Sequence, residues 1–210
     1  MTPSAGAVPA FPAPGFADPT RDAQRAFRAI LNALAHPTRC YPLTGPAEPP
    51  AALGPGLAAA ALTLLDEDSA VWLGGMLAGD AEVAAWLAFH TGARRVDAAA
   101  AASFVIAAPD ALPPLASLAL GTEEAPHLSA TVVLDIRGCA GPARFTAQGP
   151  GIDGTATLAA PWAYDGFADE WHRNAELFPG GVDLLLVDSG TVTGLPRTTR
   201  LTTADPELED

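Results

Sequence analysis

The chain has 210 residues, a formal net charge of −13 at pH 7 and an apolar fraction of 49%. This length suits one domain with a sizeable core, and the negative charge disfavours nucleic acid as a partner because a phosphate backbone repels it. Every strongly basic residue is arginine, which excludes enzymes that need a lysine for an internal aldimine with pyridoxal phosphate or for a P-loop.

The two ends of the chain differ in composition from the segment between them. Residues 1–15 are rich in Ala, Pro and Gly without periodicity, which predicts a disordered lead-in. Residues 204–210 form an acidic tail. We expect a single α/β domain over 16–203, because no repeat and no second domain boundary is visible.

The first predicted helix has clear ends. Asp18 suits the N-cap, Pro19 the first helical position, and Pro37 prevents continuation. Apolar residues at helical spacing predict one buried stripe, made of Ala23, Phe27, Ile30, Leu31 and Leu34. The charged face is interpreted as a candidate contact with a second copy or a partner, and it consists of Arg21, Asp22, Arg25 and Arg28.

Helix and strand patterns alternate in the middle of the chain. A buried helix is predicted over 57–65, a strand over 70–73, a helix from the Asp80 cap to Gly92, and a strand over 103–107. A short helix is expected between Pro109 and Leu120. This alternation predicts α/β layering, with a mixed β-sheet flanked by helices.

The second half of the chain is richer in strand patterns. A strand over 130–137 is expected to return through 143–147 as an antiparallel hairpin. A helix is predicted over 167–178, followed by a central strand over 182–187 and a further strand over 191–195.

Signals for a membrane, a signal peptide or a disulfide framework are lacking. Cys40 and Cys139 are isolated and have no zinc-site spacing. No apolar run approaches the roughly 20 residues that span a bilayer, and the N-terminus lacks the basic start and apolar core of a signal peptide. We expect a cytoplasmic protein without membrane contact.

Metal and catalytic motifs are weak. Asp66, Glu67 and Asp68 could attract a hard cation, but adjacent carboxylates alternate in direction and are common in solvated loops. His90 lies at a helix end, where a capping or core role competes with that of a catalytic base. Gly-X-Ser-X-Gly and paired-histidine spacings are absent, so no catalytic residue and no metal site are assigned.

The best small-ligand candidate is Arg197 with Thr198 and Thr199. An arginine fork with neighbouring hydroxyls suits a phosphate or phosphonate. A subunit contact or a structural role at a strand end is the alternative, and the residues alone leave both open.

Several motifs occur in a fixed order along the chain. They are Pro14-Gly15-Phe16 with Asp18-Pro19, Asp22-Ala23-Gln24 and Phe27-Arg28; Leu64-Leu65-Asp66 with Asp68 and Val71-Trp72-Leu73; Phe89-His90-Thr91; Phe178-Pro179-Gly180-Gly181-Val182-Asp183-Leu184; and Pro196-Arg197-Thr198-Thr199. This ordered set, over residues 14 to 203, resembles the PhnH-like family of carbon–phosphorus lyase components.

The resemblance implies a bacterial protein of phosphonate degradation. It implies a fold similar to that of pyridoxal-phosphate-dependent transferases but without that cofactor, in agreement with the missing lysine. It also implies a homodimer that joins the G, I and J subunits of carbon–phosphorus lyase. The complex is expected to couple methylphosphonate to the ribose C1′ of ATP with loss of adenine, giving ribose 1-methylphosphonate 5-triphosphate, with the I subunit as the catalyst.

Two hypotheses of function follow. The first is an accessory, non-catalytic subunit of this complex. The second is a phosphonate- or nucleotide-binding enzyme in its own right, in which Arg197, with His90 or Arg28, holds the phosphonate or the triphosphate.

Overall fold

The computed structural model describes residues 12–203. Residues 1–11 and 204–210, which hold most of the predicted lead-in and the predicted acidic tail, lie outside this range. The helices are α1 (Pro19–Ala35), α2 (Gly54–Leu64), α3 (Met76–Gly79), α4 (Ala81–Thr91) and α5 (Phe167–Glu176). The strands are β1 (Cys40–Pro42), β2 (Ala70–Leu73), β3 (Arg94–Arg95), β4 (Phe104–Ala107), β5 (Thr131–Asp135), β6 (Arg144–Gln148), β7 (Ala156–Ala159), β8 (Asp183–Val187), β9 (Thr191–Leu195) and β10 (Arg200–Thr203).

Most of the strands belong to one mixed sheet. Its seven strands lie in the order β1-β9-β8-β5-β4-β2-β3, while β10-β6-β7 form a separate three-stranded sheet. The five strands from β8 to β3 run parallel, and β9 and β1 add antiparallel pairs at one edge. The predicted α/β class, with a mixed sheet flanked by helices, is confirmed.

Both faces of the large sheet are covered. Ile30, Leu57 and Trp86 from α1, α2 and α4 lie in one core cluster. Phe167 and Trp171 from α5 lie in a second cluster, together with residues of the small sheet. Successive residues of a strand point to opposite faces, so the strands between these two layers are apolar along almost their whole length.

The hairpin predicted between 130–137 and 143–147 is wrong. β5 pairs in parallel with both β4 and β8, so neither of its edges is open to β6. β6 pairs instead with β7 and β10 in the small sheet. Closeness in sequence favoured a hairpin, whereas the uninterrupted burial of Val132, Val133 and Leu134 is typical of a central strand.

The first helix has the predicted ends but a different buried face. Asp18 Oδ1 accepts a hydrogen bond from the backbone N–H of Arg21 at 3.1 Å, which confirms the N-cap. Phe27 and Leu31, predicted to be buried, are 50% and 54% exposed. The buried residues of the helix are Ala26, Ile30 and Ala33.

Close helix–sheet packing explains the choice of the buried face. α1 packs on β9, and a Cβ built at Gly194 of β9 would lie 2.5 Å from the carbonyl carbon of Ala33. Such an approach leaves room only for small side chains at the contact. The helix therefore buries Ala26 and Ala33 beside Ile30 and turns part of its larger apolar stripe outward.

The remaining helix predictions differ in outcome. Asp80 caps α4 by accepting from the backbone N–H groups of Glu82 and Val83, and Gly92 ends the helix with φ 70°, as predicted. The short helix expected between Pro109 and Leu120 consists of two separate 3-10 turns, because the prolines between them interrupt a continuous helix. Within residues 12–203, no helix is both long enough and apolar enough to cross a bilayer.

Candidate functional site

Arg197 lies where β8 begins, beyond the last residue of β9. Its Nε donates to Asp183 Oδ1 at 3.1 Å and its Nη2 donates to Asp183 Oδ2 at 2.6 Å. The backbone N–H of Arg197 also donates to Asp183 Oδ1, at 2.7 Å. The side chains are 13% and 23% exposed, so a partly buried, two-pronged ion pair connects the end of one strand to the start of its neighbour.

The rest of the guanidinium reaches two loops. Nη1 donates to the carbonyl oxygens of Pro126 at 3.4 Å and Pro179 at 3.0 Å, and Nη2 donates to Ser129 Oγ at 2.6 Å. A guanidinium has five N–H donors, and the protein supplies an acceptor for each. This is the geometry of a structural anchor, and a ligand here would have to displace a protein acceptor. Ligand binding by Arg197 stays a prediction.

The two threonines beside Arg197 face different surroundings. Thr199 is fully buried, and its carbonyl oxygen accepts a hydrogen bond from Trp171 Nε1 at 2.8 Å. Thr198 is half-buried, and its carbonyl oxygen lies against Gly149. Among the described residues, Thr199 Oγ1 is buried without a hydrogen-bond partner. Anion binding by Thr198 and Thr199 stays a prediction.

His90 packs against the segment that precedes α1. Its Nε2 lies 2.9 Å from the carbonyl oxygen of Ala13, and its ring centroid lies 4.7 Å from that of Trp86. A Cβ built at Gly15 would lie 3.1 Å from His90 Nδ1. No hydrogen bond or ion pair in the described part of the chain joins His90 to Arg197, so a joint ligand site stays an untested hypothesis.

The charged face of α1 lies in solvent. Arg21 pairs with Asp18 at 3.9 Å, and Arg25 pairs with Asp22 at 3.6 Å. The two arginine side chains are 68% and 70% exposed, and such pairs add little stability. Arg28 is exposed as well. The three arginines are thus accessible to a partner, whereas the Asp22 side chain is 25% exposed. The interface role of all four residues stays a prediction.

Sequence reasoning missed a cleft beyond the carboxyl ends of β2, β4 and β5. Two cavities of about 310 and 250 Å³ share the lining residues Ala108, Asp110, Asp135 and Arg137. In the large sheet β3 lies on one side of β2, and β4, β5 and β8 follow on the other side, so the direction in which strands are added reverses at β2. Open α/β sheets bind ligands at such a reversal. Acidic residues at the carboxyl ends of apolar strand patterns were the available sequence signal: Asp135 ends β5, and Asp110 lies three residues beyond β4.

An ion pair also dominates the cleft. Arg137 Nε and Nη2 donate to the two oxygens of Asp135 at 2.8 and 2.7 Å, and Nη2 donates to the carbonyl oxygen of Ala52 at 2.6 Å. The hydrogen bond to Asp135 raises the pKa of Arg137 further above its ordinary value. Asp110 adds a second carboxylate to the lining. One guanidinium faces two carboxylates, so the cleft is not a strong site for a polyanion.

Cys139 lines the same cleft. Burial raises the pKa of its thiol, and the nearby charges of Asp135, Asp188 and Asp110 raise it further. Since the thiolate is the reactive form of cysteine, this environment disfavours Cys139 as a nucleophile near neutral pH.

The acidic triplet after α2 closes a turn. Asp66 Oδ1 accepts from Ser69 Oγ at 2.7 Å and from the backbone N–H of Asp68 at 3.1 Å. Among residues 12–203, no group of three or more His, Cys, Asp or Glu side chains is placed to hold a metal ion.

Comparison with known proteins identifies the family. Residues 14–202 match the family described as "Bacterial phosphonate metabolism protein (PhnH)". The chain is also 38% identical, over 187 residues, to the alpha-D-ribose 1-methylphosphonate 5-triphosphate synthase subunit PhnH of Rhizobium meliloti (strain 1021), with 89% of this chain and 93% of that relative covered. The resemblance inferred from the ordered motifs is confirmed: the chain belongs to the bacterial phosphonate metabolism protein (PhnH) family.

Proposed function

We propose that this chain is an accessory subunit of a ribose 1-methylphosphonate 5-triphosphate synthase and serves phosphonate catabolism without catalysing the reaction alone. The observation that supports this is the alignment with a synthase subunit over 93% of that relative's length. A near full-length match at 38% identity favours the same place in an equivalent assembly.

The geometry of the reactive side chains supports an accessory role. Arg197 donates to protein acceptors, His90 packs against residues 13–15, and burial raises the pKa of the Cys139 thiol. Nucleophilic catalysis needs a nucleophile and a base within hydrogen-bonding reach. These three side chains do not form such a pair.

The finer parts of the proposal come from the motif resemblance. They are a homodimer, the G, I and J subunits as partners, a cytoplasmic location, and a fold similar to that of pyridoxal-phosphate-dependent transferases. No cofactor is included, because the sequence contains no lysine and therefore has no amine to form the internal aldimine.

Co-expression with the G, I and J subunits, followed by size-exclusion chromatography, tests the subunit role. We expect this chain to co-elute with them, and we expect no product when it is incubated alone with ATP and methylphosphonate. The complex should form the ribose triphosphate product, and the same preparation without this chain should not. Separate elution of this chain would contradict the proposal.

A ligand-binding module is the second candidate. The position of the cleft at the carboxyl ends of the strands favours it, while the two carboxylates in the lining oppose a polyanion. Isothermal titration of the purified chain with ATP and with methylphosphonate tests it. Saturable binding lost in Arg137→Ala would place the ligand in the cleft, and saturable binding lost in Arg197→Ala would place it at the anchor. The absence of saturable binding would contradict this candidate.

A further inference from the structure

Three large apolar side chains are exposed on two neighbouring loops. Leu128 is 62% exposed, Leu177 46% and Phe178 63%. Leu128 lies in the loop closed by the bridge between Leu120 and Ser129, and the other two directly follow α5. We call Leu128, Leu177 and Phe178 the apolar platform. A soluble domain gains no stability from apolar side chains left in water, so such a group is typical of a contact site.

Buried hydrogen bonds hold the two loops together. The backbone N–H of Gly181 donates to the carbonyl oxygen of Leu120 at 2.7 Å. Arg197 Nη1 contacts one carbonyl oxygen in each loop, those of Pro126 and Pro179. The buried Asn174 side chain of α5 exchanges two hydrogen bonds with the backbone of Val182, at 2.8 and 2.9 Å. The backbone that carries the apolar platform is therefore fixed before any partner arrives, which lowers the entropic cost of binding.

The charges beside the apolar platform are mostly negative, with one exposed cation, Arg173, a helical turn before Leu177. Glu123 and Glu124 lie in the same loop as Leu128, Glu176 directly precedes Leu177, and all three are exposed. A second copy related by a two-fold axis through the platform would bring these glutamates close to their own counterparts, and like charges across an interface oppose association. A different protein, with an apolar pocket edged by Arg or Lys, complements both features.

We propose that the apolar platform is the docking surface for another subunit of the synthase, which receives Phe178 in an apolar pocket edged by basic residues. This inference rests on the proposed subunit role. In this proposal Arg197 is a positioning residue, because its guanidinium donates hydrogen bonds to both loops that carry the platform. A large aromatic side chain that becomes buried on binding is a common centre of such an interface.

The test compares two sets of substitutions in the full chain, co-expressed with the G, I and J subunits. Phe178→Ala with Leu128→Ala should weaken association by about tenfold or more. Phe89→Ala is the matched control, since Phe89 is 66% exposed on α4, and it should leave association within about twofold of wild type. Circular dichroism and thermal unfolding report whether each variant folds.

A charge variant keeps the test decisive if the apolar variant misfolds. Glu123→Arg with Glu124→Arg changes exposed side chains only, and it should weaken association by about tenfold at low salt and less at high salt. Unchanged association of the folded variants, while the wild-type chain still co-elutes, would overturn the platform and leave the subunit role intact.

Two further results would also overturn the proposed docking surface. Failure of the wild-type chain itself to co-elute would overturn both the subunit role and this inference. Light scattering of the isolated chain identifies a different occupant: a dimer that becomes monomeric in the Phe178→Ala and Leu128→Ala variant would show that a second copy covers the platform, and it would overturn the inference.

Discussion

Among individual side chains, Arg197 and Asp183 have the most connected environment that we find. The ion pair joins β9 to β8, and the same guanidinium binds the loops around Pro126 and Pro179. The phosphate-binding interpretation of Arg197 and the structural one rest on the same chemistry, a planar fork of donors. The acceptors around Arg197 come from the protein, which favours the structural interpretation, and ligand binding stays a prediction.

Removal of the anchor should destabilise the fold. Arg197→Ala removes the guanidinium from two carbonyl oxygens and from the partly buried Asp183 carboxylate, which keeps the backbone N–H donor of residue 197. We expect a loss of roughly 3 kcal/mol in the free energy of unfolding. Urea unfolding followed by circular dichroism measures it. Arg200→Ala, an exposed change on β10, should cost less than about 0.5 kcal/mol. Equal stability of the two variants would contradict the anchor.

Cys139 should react slowly as a thiol. Because its pKa is raised, a smaller fraction of it is thiolate at a given pH than of an ordinary cysteine of pKa about 8.5. In a Cys40→Ser variant, modification by iodoacetamide should be slower at pH 8 than that of a free cysteine, and the rate should still rise above pH 9. A rate that levels off at the ordinary thiol pKa would contradict the raised value.

The raised pKa of Cys139 also determines how its contribution to the stability of the fold changes with pH. Between the ordinary thiol pKa and the raised one, the unfolded chain releases a proton that the folded chain keeps, so the contribution of Cys139 to stability falls as pH rises. A Cys139→Ala variant should therefore lose less stability than wild type between pH 8 and pH 10. Thermal unfolding across this range measures the difference.

Among the helices and strands, α1 shows how packing selects a face. Its apolar stripe is wider than the surface that it buries, and the contact with β9 at Gly194 admits alanine more readily than phenylalanine. Phe27 and Leu31 consequently remain half exposed. β5 is a related case, since both of its edges are occupied by parallel neighbours.

Substitutions of two neighbouring residues test which face of α1 is buried. Ile30→Ala removes a side chain that is 3% exposed and should cost about 2–4 kcal/mol. Leu31→Ala, at a residue that is 54% exposed, should cost less than about 1 kcal/mol. Chemical denaturation of both variants gives the comparison. Equal losses would mean that the helix buries the wider stripe.

In the whole molecule, the candidate sites lie at the two ends of the parallel strands. The Asp135–Arg137 cleft lies at the carboxyl ends, and the Arg197 anchor lies at the start of β8. The arginine-rich face of α1 is separate from both. These surfaces are spread over a chain with a net charge of −13, which favours basic partner surfaces over nucleic acid.

Charge reversal on α1 tests its proposed contact. Arg28→Glu should weaken self-association or assembly with the other subunits by about tenfold, because the change places a carboxylate where a cation is proposed to face the partner. Light scattering and co-elution measure both outcomes. Arg94→Glu changes the net charge equally at an exposed edge strand and serves as the control. Unaltered assembly of Arg28→Glu would contradict the contact.

Local patterns in the sequence were sufficient for the α/β class, the ends of α1 and α4, and the family, because caps, turns and apolar periodicity are properties of neighbouring residues. Asp183 and Pro126 are far from Arg197 in sequence, and only the folded chain brings them to its guanidinium. The separation of β6 from β5, the exposure of Phe27 and the cleft at Asp135 likewise depend on which strand edges and helix faces are already occupied. Contacts between distant segments decide these features, and no local pattern specifies them.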